Sequence, residues 1–85
     1  MSTTQNRIQI YGTRLCGFCA AAKRIAERAG VPYDEILLDR DPERRIELAE
    51  QTGQRSVPMI FVDGEFVGGF QEFRIMVERG DLTSP

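Results

Sequence analysis

Polar and apolar residues alternate along Arg7-Ile-Gln-Ile-Tyr11, which puts Ile8 and Ile10 on one face and predicts a strand. Gly12 to Leu15 then connects to a segment of different period. From about Cys16 to Ala29, the positions Ala22, Ile25, Ala26 and Ala29 recur at helical spacing. Gly30 supplies a stop and Pro32 reinforces it. The small alanines on this stripe predict close packing on a sheet. Tyr33 to Asp39 predicts a second strand, with Tyr33, Ile36, Leu37 and Leu38 as its apolar content. Asp41-Pro42-Glu43 has the residues of a helix start, with Asp as cap, Pro at the first position and Glu in the first turn. That helix runs to about Gln51, with Ile46, Leu48 and Ala49 inward, and Gly53 ends it. Pro58 to Val62 is a third strand, Asp63-Gly64 a tight hairpin turn, and Glu65 to Gly68 the returning strand. Gly68-Gly69 turns the chain into a last helix, about Gln71 to Arg79, with Phe73, Met76 and Val77 as its stripe and Gly80 as its end.

The order is therefore β-α-β-α-β-β-α. A strand–helix–strand start implies parallel pairing with a right-handed crossover, and the hairpin adds an antiparallel edge. The expected class is α/β: a four-stranded mixed sheet with helices on both faces. No repeat, linker or low-complexity stretch interrupts it.

Eighty-five residues make one small domain, and 41% hydrophobic content is enough for a modest core. The expected domain spans residues 7–85, after a flexible polar tail of residues 1–6. That tail lacks the basic and apolar regions of a secretory signal. No apolar run approaches the ~18 residues of a membrane span. The formal net charge of −2 comes without a basic patch, which argues against nucleic-acid binding. Lys23-Arg24, Glu27-Arg28 and Arg44-Arg45 read as solvated helix faces.

Chemistry concentrates in Cys16-Gly17-Phe18-Cys19. These are the two cysteines of the chain, placed between a strand and a helix. A cysteine pair at a helix entrance is a dithiol redox arrangement. The partial positive charge of the helix N-terminus favours thiolate, and thiolate is the form that attacks a disulfide. Three other readings stand beside it. A structural disulfide at this spacing closes too small a loop to stabilise much. A structural zinc site needs four ligands, and the chain has no histidine and no further cysteine. The third is a chance pair. A lone cysteine pair in a reducing cytosol is more often catalytic than structural, so the expected location is cytoplasmic.

Three motifs in order, Tyr11-x-x-x-x-Cys16-Gly17-Phe18-Cys19, Ser56-Val57-Pro58 and Gly68-Gly69, make residues 7 to 82 resemble a glutaredoxin of the thioredoxin-fold superfamily. The resemblance implies a thioredoxin-like fold and a glutathione-dependent thiol–disulfide oxidoreductase, with Cys16 as nucleophile and Cys19 as resolving thiol. It implies a cis peptide before Pro58, whereas the residues alone allow Pro58 simply to open an edge strand. Val57 would pair with the glutathione backbone like an added strand. Tyr11 would flank the active site, and Phe18 would form one wall of the groove. Gly69, Phe70 and Gln71 would receive the γ-glutamyl end at a helix start. Arg45 and Arg55 would form a basic rim for the glycyl carboxylate. Thr13 stands where the family commonly has lysine, and Arg14 beside it is the substitute. Gln71 stands next to the acid, Glu72, that would meet the glutathione amine.

The inner pair Gly17-Phe18 is that of single-cysteine glutaredoxins, although both thiols are present here. That likeness implies an alternative: a [2Fe–2S] cluster shared by two subunits, with Cys16 and glutathione as ligands. A further alternative is an electron donor to ribonucleotide reductase, itself reduced by thioredoxin reductase. Expected partners are glutathione and disulfide-bearing or glutathionylated proteins, with no nucleic acid and no membrane. The expected state is a monomer, or a dimer where a cluster is bound.

Overall fold

The structure, a computed structural model, describes residues 6–82. Its elements are β1 (Ile8–Gly12), α1 (Gly17–Arg28), β2 (Tyr33–Leu37), α2 (Pro42–Thr52), β3 (Met59–Val62), β4 (Glu65–Gly68) and α3 (Phe70–Glu78). The strands form one sheet in the order β2-β1-β3-β4. β1 runs parallel to β2 and antiparallel to β3, and β3 runs antiparallel to β4. Met1 to Gln5 of the expected tail lie outside the described residues. Asn6 is tied to β2, its backbone N–H donating to Asp34 Oδ2 at 3.0 Å. No helix among the described residues is long and apolar enough to cross a membrane.

The strand alternation divides the core in two. Ile8 and Ile10 of β1 and Ile60 and Val62 of β3 face one side, where they pack with Ala22 and Ala26 of α1 and Phe73 of α3. Phe73 is fully buried there. Met59 faces the other side, packed with Leu38 and with Leu48 of α2, and bordered by Tyr11, Phe61 and Phe66. Helices thus cover both faces, as the element order predicts.

Three apolar positions depart from their expected places: Ile46, Leu37 and Ala49, the last half-buried and outside both core clusters. The spacing of α2 predicts Ile46 inward, but Ile46 is 59% exposed and Leu48 is the residue that α2 buries. Leu37 counts toward the apolar content of β2, yet it is 40% exposed, at the end of this edge strand and outside both core clusters. Its neighbour Leu38, past the strand end, turns inward after its N–H donates to Gly12 O at 2.8 Å.

The hairpin between β3 and β4 turns at Asp63 (φ 54°) and Gly64 (φ 83°), the two positive φ values of a type I′ turn. Arg7 clasps this turn, with both guanidinium contacts to the Asp63 carboxylate at 3.0 Å. That hydrogen-bonded guanidinium holds the Asp63 carboxyl below its ordinary range. Helix α2 starts as expected, with Asp41 Oδ1 accepting from the Arg44 N–H at 3.2 Å. It ends at Gly53 in a left-handed conformation, φ 77°.

Truncating Phe73 to Ala is expected to cost about 3–5 kcal/mol in chemical denaturation, whereas Ile46→Ala stays within about 0.5 kcal/mol. Alkaline stability tests a second contact. Burial, then the hydrogen bond to Glu27 at 2.6 Å, pushes the Tyr33 phenol up to about 12. A raised phenol stabilises the fold fully below about pH 10 and loses that contribution as pH rises toward the folded value. Tyr33→Phe is expected to remove this part of the alkaline decline in thermal melts at pH 9 to 11.

Candidate active site

Helix α1 begins at Gly17, and Cys16 is its N-cap with extended backbone (φ −131°, ψ 111°). The Cys16 sulfur accepts a hydrogen bond from the Cys19 N–H at 3.1 Å. This is where the unpaired amides and dipole of a helix favour negative charge. Cys16 and Cys19 are joined as a disulfide, with Cα atoms 5.2 Å apart.

The two sulfurs are not equivalent. Cys19 is buried at 3% exposure, beneath the end of β1. A Cβ placed on Gly12 would come within 2.6 Å of its sulfur, so the close approach of β1 and α1 requires glycine there. Cys16 is only half-buried. Its flanks are open, with Leu15 fully exposed and Phe18 63% exposed.

A second segment closes on Cys16 from β3. The Val57-Pro58 peptide is cis, and Val57 O lies 3.8 Å from Cys16 Sγ. The β1–β3 register sets this proximity. Tyr11 pairs with Met59, so the chain leaving β1 and the chain entering β3 meet at one end of the sheet. Gln54 braces the entering segment, its Nε2 donating to Ser56 O at 2.8 Å and Pro58 O at 2.9 Å.

The third segment is the start of α3. Gly68 adopts φ 125°, and a Cβ there would meet Glu72 side-chain atoms at 2.8 Å. The Gly69 N–H donates to Glu72 Oε1 at 2.9 Å. Phe70 packs on Phe18, ring centroids 5.6 Å apart. Phe18, Gln54, Val57, Gly69, Phe70 and Gln71 line the resulting groove of about 250 Å³.

The sequence pattern of the glutaredoxin family matches residues 8–67. The chain belongs to the glutaredoxin family. It is 41% identical over 76 residues to a glutaredoxin of Neisseria meningitidis serogroup B, covering 88% of this chain and 89% of that one. It is 31% identical over 75 residues to glutaredoxin 3 of Escherichia coli, covering 88% and 90% respectively. Its fold matches that of a buckwheat glutaredoxin–glutathione complex with a TM-score of 0.83 and 29% identity, over 91% of this chain and 73% of that one. The fold is thus the thioredoxin-like glutaredoxin fold, and the Cys16/Cys19 pair is the dithiol of a thiol–disulfide oxidoreductase.

In this glutaredoxin the residues singled out from sequence fall into three places. Phe18, Val57, Pro58, Gly69, Phe70 and Gln71 converge on the groove beside the dithiol. Arg45 and Arg55 lie in a separate, larger depression of about 570 Å³ against α2. Arg14 lines neither, and its backbone N–H is held by the Asp39 carboxylate at 3.1 and 3.2 Å. Tyr11 carries Arg44 over its ring, 5.7 Å from the centroid. The Glu72 carboxylate, expected to face glutathione, lines the same groove and accepts from the Gly69 N–H at 2.9 Å.

Gln54 and Gly12 escape a motif reading. Gln54 is a polar loop residue whose two carbonyl partners become visible only in three dimensions. Gly12 resembles any glycine at a strand end. Among the described residues no group of three or more His, Cys, Asp or Glu side chains converges. An iron–sulfur cluster needs four thiolates and would have to draw ligands from outside the chain. Replacing Gln54 with Ala leaves the Ser56 and Pro58 carbonyls without their donor. The expected loss is about 1–2 kcal/mol in urea denaturation, together with a raised KM for the disulfide substrate.

Proposed function

We propose that this glutaredoxin reduces protein disulfides and glutathione mixed disulfides at the expense of glutathione, with Cys16 attacking and Cys19 resolving. The observation that carries the reading is the asymmetry of the pair: Cys16 is accessible at a helix start beside Val57, and Cys19 is buried behind Gly12. An attacking sulfur must be reached in line by a substrate disulfide, and a resolving sulfur needs only to reach its neighbour.

In the dithiol route the Cys16 thiolate attacks one sulfur of the substrate disulfide. A Cys16–substrate disulfide forms, and the other substrate sulfur leaves as thiolate. Cys19 thiolate then attacks the Cys16 sulfur, releasing the second substrate thiolate and closing the Cys16–Cys19 disulfide, the state of this structure. Glutathione thiolate opens that bond at Cys16 and expels Cys19. A second glutathione attacks the Cys16–glutathione disulfide, forming glutathione disulfide and restoring the Cys16 thiolate. Two electrons pass from two glutathiones to one substrate disulfide. With a glutathione mixed disulfide, Cys16 attacks the glutathione sulfur and the last step alone completes the cycle.

The residues around Cys16 suit the chemistry of glutathione. Val57 presents backbone groups that an extended peptide can pair with. The γ-glutamyl carboxylate would meet the Phe70 and Gln71 N–H groups at the start of α3, since Glu72 already takes the Gly69 N–H. Arg45 and Arg55 would draw the glycyl carboxylate. The buckwheat relative was solved as a glutathione complex, which supports glutathione as the ligand. The reaction runs against a reduced glutathione pool, which places the work of the chain in a reducing compartment such as the cytosol.

Cys16→Ser is expected to lower glutathione-coupled reduction of a small mixed disulfide at least about 100-fold. Cys19→Ser is expected to keep that reaction while losing reduction of an intramolecular protein disulfide. Reduction of the Cys16–Cys19 disulfide by thioredoxin reductase but not by glutathione would overturn the reading.

A further inference from the structure

The segment from Gly53 to Ser56 is a wall with two faces. Gln54 and Ser56 line the groove beside the dithiol, whereas Gly53 and Arg55 line the depression against α2. Alternate residues of this short segment line the two hollows, so it serves both. The depression is the larger, about 570 Å³ against about 250 Å³.

Its other wall is one face of α2, where Pro42, Ile46 and Ala49 recur at helical spacing. Ile46 gives this wall an apolar surface that is 59% exposed. Arg45 and Arg55 also line it. Among the described residues neither guanidinium has an ion-pair or hydrogen-bond partner, whereas Arg7, Arg74 and Arg79 are paired. Glu50 is the one carboxylate in the lining. An apolar surface accompanied by two unpaired cations matches a chain segment that is apolar and acidic.

We propose that this depression seats the part of a protein substrate that follows its reactive cysteine, and selects segments in which an apolar residue is followed by acidic ones. The inference rests on the glutathione-linked exchange at Cys16 proposed above. With the substrate cysteine held on Val57, glutathione has a single residue beyond its cysteine, and its carboxylate ends at the arginine rim. A polypeptide does not end there. Its next residues pass Arg55 and lie over Ile46 and Ala49. The chain as a whole carries −2, so overall charge repels an acidic partner, and any preference must come from this local pair of arginines. Exposed ion pairs are weak, so the expected selectivity is several-fold and sensitive to salt.

The test compares two symmetrical disulfide dimers of single-cysteine peptides. The peptides are identical except that the cysteine is followed by Leu-Glu-Glu in one and by Leu-Lys-Lys in the other. Glutathione-coupled kcat/KM is measured for both, and for the mixed disulfide of glutathione with 2-mercaptoethanol. The wild type should prefer the acidic dimer about five-fold, and about 0.5 M salt should compress that preference. Ile46→Glu should abolish the preference and Glu50→Gln should raise it, with each variant's peptide rates taken relative to its own rate on the small substrate. Turnover of the small substrate with equal rates on the two peptides overturns the docking inference alone, as does a preference that Ile46→Glu leaves intact. Failure to turn over the small substrate overturns the glutathione reading and this inference with it.

Discussion

The close approach of helix α1 to strand β1 is the constraint on which the rest of the molecule depends. It needs small residues on both sides: Gly12 on the strand, and Ala22 and Ala26 fully buried on the helix. A side chain at Gly12 would collide with the Cys19 sulfur and push the helix start away from the sheet. With the helix held close, Cys19 is sealed in and Cys16 is left at the N-cap, facing out. The chemical polarity of the dithiol is therefore a packing result before it is an electrostatic one. The helix terminus then adds its field at the sulfur that packing has left accessible.

The remaining parts of the site are brought to Cys16 by the sheet. The antiparallel register of β1 and β3 fixes where Val57 emerges, and the Gln54 side chain holds that segment from the side of α2. The start of α3 reaches the same place because α1 and α3 share one face of the sheet. Three chain segments far apart in sequence thus converge on the groove beside Cys16. A core of this size can do this only because both faces of the sheet are covered, with Phe73 filling one and Met59 the other.

Much of this was legible in the chain itself. The switch from alternating to helical spacing after Tyr11, the cap residues around Asp41-Pro42 and the Asp63-Gly64 turn each impose a local geometry, so the element order follows from them. Cys16-x-x-Cys19, Ser56-Val57-Pro58 and Gly68-Gly69 mark three segments that the structure brings together. What was not legible depends on neighbours distant in sequence. Ile46 and Leu48 are equally apolar, and only the position of α2 on the sheet decides that Leu48 is covered and Ile46 is not. Leu37 is exposed because it is the last residue of edge strand β2, outside both core clusters. Gln54 shows no periodicity at all; its role lies in two carbonyls that the turn at Pro58 presents to it. Glu72 lines the groove and also satisfies the amide of Gly69 at the opening of α3, a local contact that forms only once the helix is in place.

The decisive measurement is which sulfur reacts first. Reduced single-cysteine proteins, one retaining Cys16 and the other Cys19, are mixed with glutathione disulfide, quenched over time and mapped by mass spectrometry. If packing sets the polarity of the pair, the Cys16 protein forms its glutathione adduct at least about ten-fold faster than the Cys19 protein. Equal rates, or faster reaction at Cys19, would contradict that assignment.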